Sequence, residues 1–173
     1  MRAAIEKGKH VKVYATETRP KLQGAKLTVF ELMKDKIPVT LITDNMVGYV
    51  FQKKLVNKVI VGADRILASG HVINKIGTLT IAVLAKYFNI PFYVAAPSST
   101  LDLKSKLEQV KIEERNPNEV KKIGSAYITV PKVKVLNPAF DATPPKLVTA
   151  IITEKAVLKP PYKEAIKENF MKT

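Results

Sequence analysis

The sequence predicts an α/β fold, specifically a three-layer Rossmann-like domain with a mainly parallel sheet. Short apolar runs rich in β-branched residues alternate with segments of helical length, and polar turns separate them. Parallel strands need helical crossover connections, which place helices on both faces of the sheet. The chain has 173 residues, which suits one domain with a sizeable core. We therefore expect residues 1–173 to form a single domain.

Each element has its own local signal. Residues 2–7 predict the end of a helix that stops at Gly8, a favoured helix terminator. The predicted strands are 11–15, 39–42, 59–61 and 92–95, the second and fourth of which begin directly after a proline. The predicted helices are 22–33, 46–55 and 79–87.

The second half has weaker signals. It predicts an extended piece at 110–117, a helical turn at 117–123 and a short strand at 133–136. Thr143 as N-cap and Pro144 at the first position predict a helix over 146–153. A last helix is predicted over 163–170.

The most informative stretch is 58–78, with the sequence KVIVGADRILASGHVINKIGT. A buried strand leads into Gly62-Ala63 and then Asp64, and a polar turn with Ser69-Gly70 follows. Residues 74–78 then open an apolar helix. A helix N-terminus carries partial positive charge, to which Lys75 adds a full charge, so this position predicts a phosphate site. A carboxylate close to a phosphate site suits proton chemistry on a phosphorylated small molecule.

Composition restricts the classes of function. Lys and Arg number 29 against 15 Asp and Glu, a net charge of +14, but the basic residues are scattered and no aromatic-interleaved stripe occurs. This pattern disfavours nucleic-acid binding. No apolar run approaches a membrane span and the start lacks a signal-peptide core, so we expect a cytoplasmic protein without a membrane partner. The chain has no cysteine, which excludes disulfides, thiolate metal sites and a cysteine nucleophile.

Open α/β sheets bind ligands beyond the carboxyl ends of their strands. The polar residues that follow the predicted strands there are Glu17, Thr18, Arg19, Asp44, Asn45, Asp64, Arg65, Asn74, Lys75, Ser98, Ser99 and Thr100. Among them, Asp44 fits a helix cap better than a catalyst. Asp64 has no helix to cap immediately after it, so a functional role is favoured there.

Other common sites lack their signatures. His10 and His71 have no second ligand at metal spacing, so no metal is expected. Neither a Walker loop nor G-x-G-x-x-G occurs, and Ser98-Ser99 has no histidine base near it in sequence. We therefore expect no cofactor.

Several longer motifs occur in a characteristic order. They are VYATETRP with LQGA from Val13 to Ala25, TDNM from Thr43, GADRI from Gly62, NKIGT from Asn74 and NPAFD from Asn137, with IEER from Ile112 and IITEK from Ile151 in addition. Through them the chain resembles the methylthioribose-1-phosphate isomerase family along almost its whole length. That family performs an aldose–ketose isomerisation of a sugar 1-phosphate in methionine salvage.

The resemblance implies roles for four residues. Asp64 would be the catalytic general acid/base, and Gln23, Asn74 and Lys75 would bind the sugar phosphate. A wider superfamily shares the NKIGT segment and includes ribose-1,5-bisphosphate isomerase and the regulatory α, β and δ subunits of translation initiation factor 2B. Those subunits tend to lose the catalytic aspartate, so Asp64 favours an enzyme.

One departure from the family favours a regulatory or assembly protein over an enzyme. The family's enzymes carry an N-terminal helical domain with phosphate-binding arginines and a catalytic cysteine upstream of the first Rossmann-like strand. This chain matches only the C-terminal domain and lacks the cysteine. The alternatives are an isomerase domain that is inactive alone, a domain completed by a separate chain that supplies the N-terminal half, and a regulatory or assembly protein like the initiation factor subunits. The resemblance also implies a homodimer.

Overall fold

The computed structural model describes residues 1–171 and contains six α-helices and twelve strands within that range. The helices are α1 (Arg2–Glu6), α2 (Val29–Lys34), α3 (Val47–Gln52), α4 (Thr78–Tyr87), α5 (Asn118–Lys121) and α6 (Tyr162–Phe170). The strands are β1 (Val13–Thr16), β2 (Val39–Ile42), β3 (Val59–Val61), β4 (Arg65–Leu67), β5 (Val72–Lys75), β6 (Phe92–Ala95), β7 (Leu101–Asp102), β8 (Lys122–Ile123), β9 (Ala126–Tyr127), β10 (Phe140–Thr143), β11 (Ala150–Ile152) and β12 (Val157–Leu158).

The fold is mixed α/β with several sheets. Strands β1 and β2 pair in parallel, and β3, β6 and β11 form a second parallel set that β12 extends in the antiparallel sense. A third sheet has the order β10-β5-β4-β7, in which β5 is antiparallel to both of its neighbours. Parallel pairing is therefore confined to part of the fold, and the sheet in which the NKIGT segment begins is mixed, with β4 and β7 parallel and its other two pairs antiparallel.

The hydrophobic core lies between these sheets and helices α3, α4 and α6. Phe92 and Val94 of β6 alternate inward with Ile151 of β11, and all three are almost fully buried. Ala82 of α4 and Ile166 of α6 are 0% exposed and pack into the same cluster. Burial of whole aliphatic side chains on this scale, about 1.5–3 kcal/mol each, fixes the strands whose ends form the site.

Most of the elements predicted in the first half are confirmed. The predicted helix at 22–33 is present in two parts, a π-helix at Gly24–Thr28 that continues into α2. The helix predicted at 46–55 begins as a 3₁₀ turn at Asp44–Met46 and continues as α3. The final helix, α6, also forms where it was predicted.

Between β3 and α4 the predicted polar turn at Ser69-Gly70 is present, but the two strands that flank it were not predicted. The residues there form the antiparallel hairpin β4–β5, in which Arg65 pairs with Ile73 and Ile66 with Val72. Gly70 closes the hairpin with a φ of +82°, a conformation that glycine adopts without steric cost. The apolar pair Val72-Ile73, 0% and 2% exposed, is the signal for the second strand.

Two predictions in the second half are wrong. Residues 146–153 form a 3₁₀ turn at Pro145–Leu147 and then strand β11, instead of a helix. β11 pairs in parallel with β6, and its two isoleucines suit a buried strand better than a helix. Thr143 is the last residue of β10 and its buried hydroxyl has no hydrogen-bond partner within residues 1–171, so it caps no helix. Residues 133–136 form no strand.

Within residues 1–171, no helix combines the length and the apolar character needed to cross a membrane.

Candidate functional site

The β4–β5 hairpin brings together three of the four residues to which the sequence assigns site roles. Asn74 and Lys75 end strand β5, and Asp64 directly precedes β4. The Asp64 N–H donates to the Ile73 carbonyl at 2.9 Å, and the register that pairs Arg65 with Ile73 places Asp64 alongside Asn74. A carboxylate, an amide and an ammonium group therefore share one end of the hairpin.

The carboxylate of Asp64 is available for chemistry. The residue is exposed, and its side chain makes no hydrogen bond or ion pair within residues 1–171. The neighbouring Arg65 turns instead to Asp102, with 3.4 Å between the guanidinium and the carboxylate. Within the described residues, Asp64 therefore has no structural partner that would account for it.

Asn74 is held in place by the start of helix α4. Its Nδ2 donates to the Thr78 hydroxyl at 3.0 Å, and that hydroxyl donates to the Lys75 carbonyl at 2.6 Å. Thr78 is 4% exposed, so this anchor is rigid. The amide of Asn74 is thus oriented from one side, which leaves its oxygen available to a ligand.

Lys75 is a partly buried cation without an ion-pair partner in the described chain. Its ammonium lies 4.4 Å from the ring centre of Phe140, its register partner on β10, within the range of a cation–π contact. Burial lowers the pKa of Lys75, and the charge of Arg115 lowers it further. The carboxylates of Asp64, Glu113 and Glu119 act on this pKa in the opposite direction. An anion beside Lys75 would relieve both unfavourable effects.

The N-terminus of helix α4 is not the open phosphate cradle that the sequence predicts. The carboxylate of Asp141, on β10, accepts the Gly77 N–H at 2.7 Å and the Leu79 N–H at 3.0 Å. Two of the helix's free donors are therefore already satisfied by an anion from the protein itself. An anionic ligand at this edge would depend on side-chain cations instead.

Asp44 has a comparable structural role, although it does not cap its own helix as predicted. Its carboxylate accepts the backbone N–H of Thr18 at 2.9 Å and of Arg19 at 2.7 Å. Asp44 thereby fixes the loop after β1. Glu154 does the same for the loop after β6, where it accepts the Ser98 N–H at 2.8 Å.

Gln23, the fourth predicted site residue, follows the loop that Asp44 fixes. Its buried side-chain oxygen has no hydrogen-bond partner within residues 1–171, which is unusual for a buried polar atom. Gly24 next to it packs so closely on β1 that an added Cβ would lie 1.8 Å from the Thr16 carbonyl oxygen. The backbone at Gln23 is therefore fixed by the contact at Gly24. The side-chain oxygen of Gln23 can accept a hydrogen bond from a ligand.

A narrow cleft of about 10 Å³, room for one water molecule, lies between this loop and Lys75. Its lining residues are Pro20, Lys21, Lys75, Ile76, Arg115, Glu119, Asn137, Pro138 and Ala139. Motif reasoning assigned no role to Lys21, Arg115, Glu119 or Asn137. The signals present were the IEER and NPAFD motifs, which contain Arg115 and Asn137.

Glu119 connects the walls of this cleft. Its carboxylate lies 3.1 Å from the Lys21 ammonium and 3.6 Å from Nε of Arg115, and Asn137 donates to it at 3.4 Å. Burial on its own would raise the pKa of Glu119, but the bonds from Lys21 and Asn137 and the charge of Arg115 together lower it. Glu119 is therefore held as a carboxylate that ties three chain segments together.

A model of the initiation factor 2 subunit family matches residues 1–160. The chain belongs to that family. The resemblance drawn from the motifs is thereby confirmed, and the matched region contains the hairpin, the cleft and the loop with Gln23.

Named relatives of this family member include enzymes. A methylthioribose-1-phosphate isomerase of Carboxydothermus hydrogenoformans is 60% identical over 171 residues, which are 98% of this chain and 50% of the relative. The isomerase of Thermosipho africanus is 58% identical over 98% of the chain and 49% of the relative. The chain thus spans about half the length of the relatives that it matches.

The similar solved structures include proteins named as initiation factor subunits and as isomerases. The crystal structure of translation initiation factor eIF-2B, subunit delta, from A. fulgidus superimposes with a TM-score of 0.96 at 53% identity, over 99% of this chain and 50% of that one. A 5-methylthioribose 1-phosphate isomerase from Pyrococcus horikoshii OT3 gives 0.94 at 45% identity, over 98% of this chain and 48% of that one. The fold is therefore common to proteins named as isomerases and as initiation factor subunits.

Proposed function

We propose that this family member is the part of a methylthioribose-1-phosphate isomerase that binds the sugar phosphate and supplies the catalytic carboxyl group. The observation that carries the proposal is the unpaired Asp64 carboxylate beside Asn74 and Lys75. Helix caps and loop clamps account for Asp44, Asp141 and Glu154, but no such role accounts for Asp64. The relatives named as isomerases at 56–60% identity support the same reading.

Each of the four predicted site residues has a role in the proposed reaction. The phosphate on the anomeric oxygen blocks spontaneous opening of the sugar ring, so opening requires a proton donor, and hydrogen then moves between C1 and C2. Asp64 is the general acid/base for these transfers. Lys75 binds the phosphate, whereas Asn74 and Gln23 hold sugar hydroxyls through amide groups. Because Asp64 is exposed here, the water-excluding cover comes from elsewhere.

We infer that this cover is the half of the relatives that the chain does not span. A separate chain would supply it, and, as an independent expectation, this chain forms a homodimer in the cytoplasm. We further propose that residues 1–171 form one three-layer, Rossmann-like domain. The part described here is then incomplete as an enzyme, and isomerisation requires its complement.

A second candidate is a regulatory subunit like those of initiation factor 2B. Its support is the superposition on the A. fulgidus subunit over 99% of this chain, which the isomerase from Pyrococcus horikoshii matches almost equally well. In that role the same site would sense a sugar phosphate without converting it.

The test is an isomerase assay with 5-methylthioribose 1-phosphate. The chain is assayed alone and together with a polypeptide covering the remaining half of the Carboxydothermus relative. We expect turnover in the mixture, and a loss of roughly 100-fold or more with Asp64→Asn, in the range of a lost general acid. Glu168→Gln, an exposed change on α6, is the matched control. Binding without turnover in every mixture would favour the regulatory role, and full activity of Asp64→Asn would remove Asp64 from the mechanism.

A further inference from the structure

The guanidinium group of Arg115 has hydrogen-bond donors that no described residue accepts from. Only its Nε approaches acidic groups, at 3.6 Å from Glu119 and 3.7 Å from Glu113. Its two terminal amino groups make no hydrogen bond within residues 1–171. Arginine presents donors in a fixed planar fork that matches the oxygens of a phosphate. Glu119 therefore holds the stem of the guanidinium and leaves the fork free.

Arg115 and Lys75 line the same narrow cleft, so an anion bound by both side chains would lie at its mouth. They are close enough for the charge of Arg115 to lower the pKa of Lys75, in addition to the larger effect of burial. The cleft lining contains three cations, Lys21 included, against the single carboxylate of Glu119. Its net charge is therefore positive, and two like charges in a partly buried space favour a bound anion.

The surrounding contacts fix this arrangement. Arg19, on the loop after β1, donates from Nη2 to the Val120 carbonyl at 2.9 Å, and Lys21 pairs with Glu119. Asn137 is 3% exposed and donates to the Asn116 carbonyl at 2.9 Å. The segment 115–120 is thus fastened on both sides. Arg115 is only 29% exposed, which limits the positions its fork can take.

We propose that Arg115 is a further substrate-binding residue, which grips the phosphate together with Lys75 while Glu119 positions it. The inference rests on the proposed function because it assigns Lys75 to the same phosphate. A phosphate ester carries about −1.5 to −2 charge at pH 7, which two cations neutralise and one does not. Glu119 is a positioning residue in this scheme, since it acts through Arg115 and does not touch the ligand.

The test is titration with inorganic phosphate, followed by amide chemical shifts in the full chain at constant ionic strength. We expect Arg115→Gln to weaken phosphate binding roughly tenfold or more, as for loss of a charged hydrogen-bond pair. Arg115→Lys keeps the charge and should retain most of the affinity. Arg2→Gln makes the same charge change at an exposed site paired with Asp35 and should change nothing.

A second measurement separates binding from a purely structural role. The pH dependence of Lys75 labelling by an amine reagent reports its pKa, which Arg115→Gln should raise and Arg2→Gln should leave unchanged. Phosphate binding that is lost in Lys75→Gln but kept in Arg115→Gln would overturn this inference alone. Absence of saturable phosphate binding in the parent chain would overturn the inference together with the phosphate role of Lys75.

Discussion

The carboxylate of Asp141 accepts the backbone N–H of Gly77 at 2.7 Å, so strand β10 caps helix α4 across 64 positions of sequence. Because Asp141 also accepts the Leu79 N–H, its removal leaves two helix donors without partners. We expect Asp141→Ala to lower the free energy of unfolding by about 2 kcal/mol, measured in urea. Glu168→Ala, at an exposed position on α6, should change it by less than about 0.5 kcal/mol. Equal effects of the two variants would contradict this capping role.

Asp141 also predicts a pH dependence of stability. Burial raises the pKa of Asp141 above its ordinary value, while the two N–H bonds act in the opposite direction without cancelling the effect. A raised folded-state pKa gives stability that is fully present below the unfolded pKa and is lost as pH rises through the folded value. As pH rises from about 4, the free energy of unfolding of the parent should therefore fall compared with that of Asp141→Asn, which has no carboxyl group to titrate at this position. A difference that stays constant, or that grows in favour of the parent, would contradict the raised pKa.

Gly24 supports the loop that carries Gln23. An added Cβ would meet the Thr16 carbonyl oxygen at 1.8 Å, a distance at which the backbone must separate. We expect Gly24→Ala to lower the free energy of unfolding by several kcal/mol, about 3 or more, as for severe overpacking. Gly48, in helix α3, has its nearest neighbour at 3.9 Å, so Gly48→Ala should stabilise by about 0.5–1 kcal/mol. Urea unfolding of both variants tests the contrast, and a tolerated Gly24→Ala would refute the close approach.

Gly70 and Tyr162 form a similar contact beneath the β4–β5 hairpin. Gly70 has a φ of +82°, and a Cβ there would lie 2.6 Å from the Tyr162 Cβ. Gly124 has a φ of +61° with nothing within 4 Å of an added Cβ. Gly124→Ala should therefore lower the free energy of unfolding by about 1–2 kcal/mol, the effect of a left-handed backbone alone. Gly70→Ala should lower it distinctly more, as measured by thermal or urea unfolding. Equal losses would show that Tyr162 does not support the hairpin.

Asp44 makes a prediction for local dynamics. Its carboxylate accepts the Thr18 and Arg19 amides, so Asp44→Ala should speed hydrogen exchange at both amides by roughly tenfold, the equivalent of one lost hydrogen bond. The Ser98 amide, which Glu154 holds in the same way, is an internal reference and should not change. Unchanged exchange at Thr18 and Arg19 would show that the loop is fixed by other contacts.

Local sequence signals sufficed where neighbouring residues determine the structure. The β-branched run of β3 and the apolar helix α4 are examples. The proximity of Asp64, Asn74 and Lys75 depends on the β4–β5 hairpin, whose strands were not predicted. The strand β11 was missed because its conformation depends on parallel pairing with β6, about 57 residues earlier in register. Propensity alone does not decide so short an apolar segment.

The cleft was beyond sequence reasoning for a similar reason. Glu119, on α5, meets Lys21 and Asn137 only because the segment between β7 and β10 folds back over the loop after β1. Neither residue type nor spacing indicates that path. The Asp141 cap was hidden in the same way, since its helix lies 62 to 64 positions earlier in the chain.

The measurement that tests the central claim most directly is a titration of the chain with 5-methylthioribose 1-phosphate, followed by amide chemical shifts. The proposed site predicts saturable changes at Gln23, Asn74 and Lys75, and a strong loss of affinity in Lys75→Gln. Saturable binding centred on other residues, or binding that Lys75→Gln leaves intact, would contradict a sugar-phosphate site on the β4–β5 hairpin.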